Sequence, residues 1–398
     1  MDMKKTMSIY LLIGLFIILG CSILLIRINR AAGHINEVTE GVVLYIGTYG
    51  EALYRYIYDS SDDTFTPLEC GMLRNPSFLA LGEENRNDGI YDVYAVSEYG
   101  DSSSVVSFAD NIRMSRTGEC SDIGADPCHL IFDLRSNTVM TADYSGGSVS
   151  VFGVNDNGSV GNMISSVQFS GSGPVPGRQE SSHIHQLTFV PLPYNVNENA
   201  ARCLLATDLG ADKIRVLKEE PLHTWCRLVH CPESDIFCGA GSGPRHLAFS
   251  KDGSMMYCIT ELSGELLVYS VSYSEDGKPS FALKQRVLAD ESHSGGSADI
   301  HIHPSGKYIY TSHRLDNDGI SIFSVASDGT VSKTGYCSTG KHPRNFVITP
   351  DGKKMLVACR DDSSVEVYTI CLQDGSLENA GRKLVLDNGM PSCLVIAD

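Results

Sequence analysis

The sequence is short of positive charge. Thirty-one Lys and Arg stand against forty-eight Asp and Glu, a net charge of −17. Such a surface repels polyanions, which argues against nucleic acid and anionic membrane surfaces as partners and favours solubility. No G-x-S-x-G pentapeptide occurs, so a serine nucleophile elbow is excluded. Paired C-x-x-C spacing is missing, which removes the usual structural zinc site. Gly-rich Ser145-Gly146-Gly147-Ser148 reads as a turn, not a strand-to-helix junction, so a phosphate loop is excluded. His183 and His185 alternate on one strand face and could bind a metal, but no third ligand accompanies them. Of thirteen Cys, most read as small buried hydrophobes. Cys226, Cys231 and Cys238 cluster in an inserted loop, where export would permit a disulfide.

The first forty residues form a separate regime. Lys4 and Lys5 precede an uncharged run from Met7 to Ile26, followed by Arg27 and Arg30. The run is long enough to cross a bilayer as a helix. Ile18-Leu19-Gly20-Cys21 also resembles a lipoprotein cleavage box, with Cys21 as the lipidated residue. Against it, Ser22-Ile23-Leu24-Leu25-Ile26 stays apolar after the Cys. Residues 1–33 are therefore expected to be a signal peptide or a membrane anchor. Residues 34–41 read as a linker and 42–398 as the folded domain.

That domain is a repeat. Its clearest copy is Gly243-Pro244-Arg245-His246-Leu247-Ala248-Phe249-Ser250-Lys251-Asp252-Gly253, then Met256–Glu261 and Leu266–Tyr269. This reads as a proline corner, strand, Asp-Gly turn, second strand, loop and third strand. Anchors at Pro76, Pro127, Ile184, Pro244, Ser297, Pro343 and Pro391 are 46 to 60 residues apart. A period near fifty built from short alternating strands specifies a four-stranded blade. The expected fold class is all-β: a seven-bladed β-propeller. Val42–Thr48 and Leu53–Tyr58 precede any anchor, and the last anchor has nothing after it. The C-terminal strand is thus expected to close the ring by pairing with the N-terminal strands.

Equivalent positions in different blades should lie at equivalent places around the axis. One past each anchor stand Ser77, Cys128, His185, Arg245, Ala298, Arg344 and Ser392; one further stand Phe78, His129, Gln186, His246, Asp299, Asn345 and Cys393. The ends of the second strands align as Glu98, Asp143, Asp208, Glu261, Arg314 and Arg360. The recurring acids also fit a structural role, receiving backbone N–H groups. A packed channel, however, needs no His and Arg at inner positions. Arginines grip carboxylate or phosphate bidentately and stabilise oxyanions. A His or Glu moves a proton or activates water. The set therefore points to work on an anionic substrate, with Arg344, His183, His246 and Asp208 as further substrate-binding residues. Three long insertions, Gly171–Ser182, Pro193–Arg202 and Glu219–Gly243, are placed to wall such a site.

Tyr45-Ile46-Gly47-Thr48-Tyr49, Ser182-His183-Ile184-His185-Gln186, Gly243-Pro244-Arg245-His246, Thr260-Glu261-Leu262 and His342-Pro343-Arg344 together resemble the seven-bladed lactonase family. That family includes propeller-type bacterial 6-phosphogluconolactonases and fungal carboxy-cis,cis-muconate cyclases. The resemblance spans about residues 42–397. It implies a catalytic set of His185, Arg245, Glu261 and Arg314, with His185 or Glu261 activating water. It implies hydrolysis of 6-phosphoglucono-1,5-lactone, a small anionic sugar lactone, without a cofactor. The N-terminal segment departs from a plain cytosolic lactonase. It leaves three alternatives: a membrane-attached domain facing the cytoplasm, an exported enzyme on another anionic lactone (cyclase- or isomerase-like reactions included), or a non-catalytic binding propeller.

Overall fold

The computed structural model describes residues 41–85, 90–110, 113–192, 202–274 and 277–397. The signal or anchor segment, its Cys21 and nearly all of the linker lie outside these residues. Among the described residues the strands form seven antiparallel sheets of four or five strands, and no helix is long and apolar enough to cross a membrane. The fold is an all-β, seven-bladed propeller.

Blade four shows the plan. Pro244–Phe249 is innermost, followed outward by Met255–Thr260, Glu265–Tyr273 and Pro279–Leu288. Burial falls outward: Met255–Thr260 is buried throughout, whereas Pro279–Leu288 alternates between exposed and half-buried. The inner strands of blades one to three are Leu79–Asn85, Pro127–Asp133 and Ile184–Phe189; those of five to seven are Ser297–Ile302, Pro343–Ile348 and Pro391–Ala397. Each inner strand contacts the next around the axis, and Pro391–Ala397 contacts Leu79–Asn85. Pro391–Ala397 pairs antiparallel with Val42–Thr48, so one sheet holds the first and last described strands. Between blades, apolar faces interlock. Ile259 and Leu266 of blade four pack with Ile300, Ile309 and Phe323 of blade five. Each such side chain, taken from water, contributes about 1.5–3 kcal/mol.

Two irregularities recur at the start of the inner strands. The residue before the anchor has a left-handed backbone at Asn75, Asp126, His342 and Met390, where Gly243 serves in blade four. A β-bulge then leaves one residue out of register. Pro244 pairs with Thr260 and His246 with Ile259, so Arg245 is the extra residue. His185 and Arg344 occupy the same place in blades three and six. A bulge turns a side chain off the regular alternation, and five bulged residues, in blades two, three, four, six and seven, turn to one pocket at the axis. Ser77, Cys128, His185, Arg245, Arg344 and Ser392 line it. The residues one further along, from Phe78 to Cys393, line an adjoining cavity.

The insertion Glu219–Gly243 is not a loop as expected. Trp225–His230 forms the fourth strand of blade three, and Ile236–Phe237 adds a short edge. Its alternating burial explains why: Cys226 and Leu228 face the core while Trp225 and Arg227 face out. All twelve described cysteines are free. Cys226 packs in the core between blades two and three, whereas Cys238 lies in the next core beside Tyr269. The disulfide that export would permit among Cys226, Cys231 and Cys238 is not formed. Pro193–Arg202 falls almost wholly outside the described residues.

Candidate active site

The second strands fix where the charged residues go. The first residue beyond each second strand donates its N–H to the carbonyl preceding the anchor. Glu261 donates to Gly243, Arg314 to Gly296, Arg360 to His342, Glu98 to Asn75 and Tyr49 to Met390. In blades two and three the equivalent residues are Tyr144 and Leu209, not Asp143 and Asp208. The sequence alignment is therefore one residue out of register in these two blades, and such a slip moves a side chain to the opposite face. Asp208 is fully buried away from the axis. It accepts from Ser182 Oγ, from Arg215 Nε and Nη2, and from the N–H groups of His183 and Ala211. It has no substrate-facing atom, which corrects its expected binding role. Asp143 is similarly enclosed by Thr141, Ser148 and Ser150, and burial raises its carboxyl to about 6 despite them.

Glu261 is the centre of the cluster. Its Oε2 accepts from Arg245 Nε at 2.8 Å and lies 3.2 Å from Arg314 Nη2. Its Oε1 accepts from Arg178 Nη2 at 2.5 Å. Burial alone would raise this carboxyl. The guanidinium groups of Arg314, Arg245 and Arg178 outweigh burial and hold it at about 2. Arg178 comes from the Gly171–Ser182 insertion, which walls the site as expected, but the residue itself was missed. Three cations around one anion leave an uncompensated positive charge in a chain that is strongly negative overall.

Arg245 is held by a chain of supports. Its Nη1 donates to Ala298 O at 2.5 Å and lies 3.3 Å from His246 Nε2. His246 Nδ1 is 2.7 Å from Asp299 Oδ1. An Nδ1–H bonded to that carboxylate leaves Nε2 to accept from Arg245. Burial and then Arg245 lower His246 to about 4, so the ring is neutral as this pattern requires. His246 thus borders the axial pocket and steadies Arg245 from behind.

Arg314 donates Nε to Gly296 O at 2.9 Å, and its Nη1 lies 3.1 Å from His342 Nε2. Burial and neighbouring cations pull Arg314 down to about 9 against the pull of Glu261, which leaves it charged at neutral pH. Arg344 faces the axial pocket. Its Nη2 donates to Tyr49 Oη at 2.7 Å, and Tyr49 donates on to Glu98 Oε2 at 2.9 Å. Tyr49 and Tyr144 are further site residues that sequence reasoning did not single out.

His185 stands apart from the ion pairs. It is buried, with its ring edge-on to Tyr144 and to His246 at centroid distances of 5.7 and 5.2 Å. Its Nδ1 is buried and has no hydrogen-bond partner. Burial first, then Arg245, hold the imidazole well below its ordinary value, so it is neutral. His183 lies outside the axial pocket, stacked on Tyr144 at 4.5 Å with Nδ1 3.0 Å from Tyr144 O. The structure thus brings His185, Arg245, His246 and Arg344 to one pocket and joins Glu261 and Arg314 to it through Arg245. No cluster of metal-ligand type occurs among the described residues.

Comparison with known proteins agrees with the seven-bladed fold. The family model described as "Lactonase, 7-bladed beta-propeller" covers residues 43–396. A 6-phosphogluconolactonase of Formosa agariphila is 32% identical over 71% of this chain and 77% of its own. The 6-phosphogluconolactonase of Bacillus subtilis is 27% identical over 80% of this chain and 88% of its own. Among solved structures, a provisionally assigned 6-phosphogluconolactonase of Bacteroides fragilis is 33% identical, with a TM-score of 0.81 over 91% of this chain and 99% of its own. A periplasmic gluconolactonase of Pseudomonas aeruginosa is 25% identical, with a TM-score of 0.78 over 90% of this chain and 99% of its own.

Proposed function

Since the chain belongs to the seven-bladed β-propeller lactonase family, we propose that it hydrolyses 6-phospho-D-glucono-1,5-lactone to 6-phosphogluconate, a step of the pentose phosphate pathway. The observation that carries this reading is the excess of guanidinium over carboxylate beside a neutral, unpartnered imidazole at the axis. An anionic lactone supplies the missing charge, and the imidazole supplies the base. Residues 42–398 act as the lactonase domain.

In this scheme Arg245 and Arg344, the guanidinium groups lining the axial pocket, take the substrate oxygens, with Arg314 behind them. His185 Nδ1 removes a proton from water as its oxygen adds to the lactone carbonyl carbon. Arg245 stabilises the resulting oxyanion. The bond from that carbon to the ring oxygen then breaks, and His185 returns the proton to the departing oxygen. The acid formed loses its own proton to solvent. Glu261 is a poor base because three cations hold it ionised; it orients them instead. The roles of base and orienter are thereby divided between His185 and Glu261.

A second reading rests on the apolar N-terminal stretch together with the periplasmic relative. In it the segment exports or anchors the domain, and an unphosphorylated lactone is the substrate. Initial rates of ring opening on fresh 6-phosphogluconolactone and on gluconolactone, each above its spontaneous rate, separate the two. Preference for the phosphorylated lactone supports the first reading; activity confined to gluconolactone replaces it with the second.

A further inference from the structure

Arg178 differs from the other guanidinium groups that touch Glu261. Its side chain is 36% exposed, whereas those of Arg245 and Arg314 are 2% and 6% exposed. Arg314 gives two nitrogens to groups other than Glu261, and Arg245 gives Nη1 to both Ala298 O and His246. Arg178 gives Nη2 to Glu261 and otherwise interacts with the Tyr144 side chain, which leaves donors of its planar fork toward solvent.

The segment carrying Arg178 is built to hold it there. The adjacent Gln179 is almost fully buried, and its Nε2 donates to Leu209 O at 2.8 Å and to Asp212 Oδ1 at 2.7 Å. Gln179 Oε1 accepts from Val175 N, and Gly173 N donates to Gln179 O. Arg178 N donates to Val175 O. This long connection between blades two and three is thus pinned, and its one arginine reaches across to blade four.

We propose that Arg178 is the specificity determinant for the phosphate of the substrate, binding it at the rim of the site while the buried arginines serve the ester. The inference rests on the lactonase reading above. A phosphate dianion needs a fork of parallel donors that is not already saturated. The C6 arm that carries the phosphate is attached beside the ring oxygen. Its phosphate therefore falls within the same cluster as the scissile ester, on its solvent side.

The test compares the full chain with Arg178→Met and Arg178→Lys. The readout is the ratio of kcat/KM for 6-phosphogluconolactone over that for gluconolactone. Losing one charge-assisted pair lowers this ratio about 30-fold in Arg178→Met, mainly through KM, with Arg178→Lys between the two. Calorimetric binding of 6-phosphogluconate against gluconate gives a second readout that does not depend on turnover. The preference for the phosphorylated product should shrink by a similar factor. A proportionate loss on both substrates, which preserves the ratio, would mean that Arg178 only positions Glu261 and overturns the proposal. So would an unchanged binding preference. If the unmodified protein fails to open the phosphorylated lactone yet binds 6-phosphogluconate through Arg178, the hydrolytic reading falls and this one stands.

Discussion

Arg245 Nε donates to Glu261 Oε2 at 2.8 Å in an interior where both side chains are almost wholly buried. The pair is embedded in a larger set, because Arg178 and Arg314 reach the same carboxylate. A lone buried ion pair rarely repays its desolvation. This one has supports on every side, which is how a preorganised electrostatic site is built.

Replacing Glu261 by Gln leaves Arg245 and Arg314 buried without their counter-charge. We expect a stability loss of about 3–5 kcal/mol and a fall in kcat/KM of at least about 100-fold. Urea unfolding and ring-opening kinetics measure the two. A variant that kept normal kinetics would show that the carboxylate does not organise the site.

The same carboxylate makes stability depend on pH. Its folded value of about 2 lies below the ordinary 4.5. Its contribution is therefore present above pH 4.5 and is lost as the pH falls toward 2. Plots of unfolding free energy against pH should be flatter over that window in Glu261→Gln than in the unmodified protein. Parallel plots would contradict the assignment.

His185→Phe removes the unpartnered Nδ1 and the base together. A drop in kcat of about 10²–10⁴-fold is expected with no loss of thermal stability, since the orphan polar atom contributes nothing to the fold. In the free protein, the imidazole carbon resonances of His185 should not titrate through the usual value of 6.5, because burial and Arg245 disfavour the cation. A midpoint at or above 6.5 would remove the basis for calling it a neutral base.

Asp208→Asn should behave in the opposite way to Glu261→Gln. Asp208 pairs with Arg215 inside blade three and faces no substrate. We expect about 3–5 kcal/mol of lost stability and an unchanged kcat for the protein that remains folded. A selective loss of kcat would restore the register that places Asp208 at the axis.

Much of this architecture was legible in the chain. The fifty-residue period specifies the blades, and the proline corner marks five of the seven inner strands. The position one past the anchor is the bulged residue in blades two, three, four, six and seven, so His185, Arg245 and Arg344 could be placed together before their contacts were visible. The second strands were harder. Asp143 and Asp208 recur like Glu261, but they serve buried turns. The offset from the anchor is the better signal: Tyr144, Glu261, Arg314 and Arg360 all lie seventeen residues beyond theirs. Arg178 had no such signal. It belongs to an insertion outside the repeat, and only tertiary packing of Gln179 fixes where it points. Trp225–His230 is a plain period-two strand masked by the grouping of its Cys226 with Cys231 and Cys238, which lie outside it.

The central claim is that these residues open a phosphorylated lactone. The most direct test measures ring opening of fresh 6-phosphogluconolactone by the full chain beside Arg245→Ala, with circular dichroism to show that both are folded. The account predicts acceleration well above the spontaneous rate in the unmodified protein and its loss in the variant. Equal rates in the two proteins, or no acceleration in either, would contradict it.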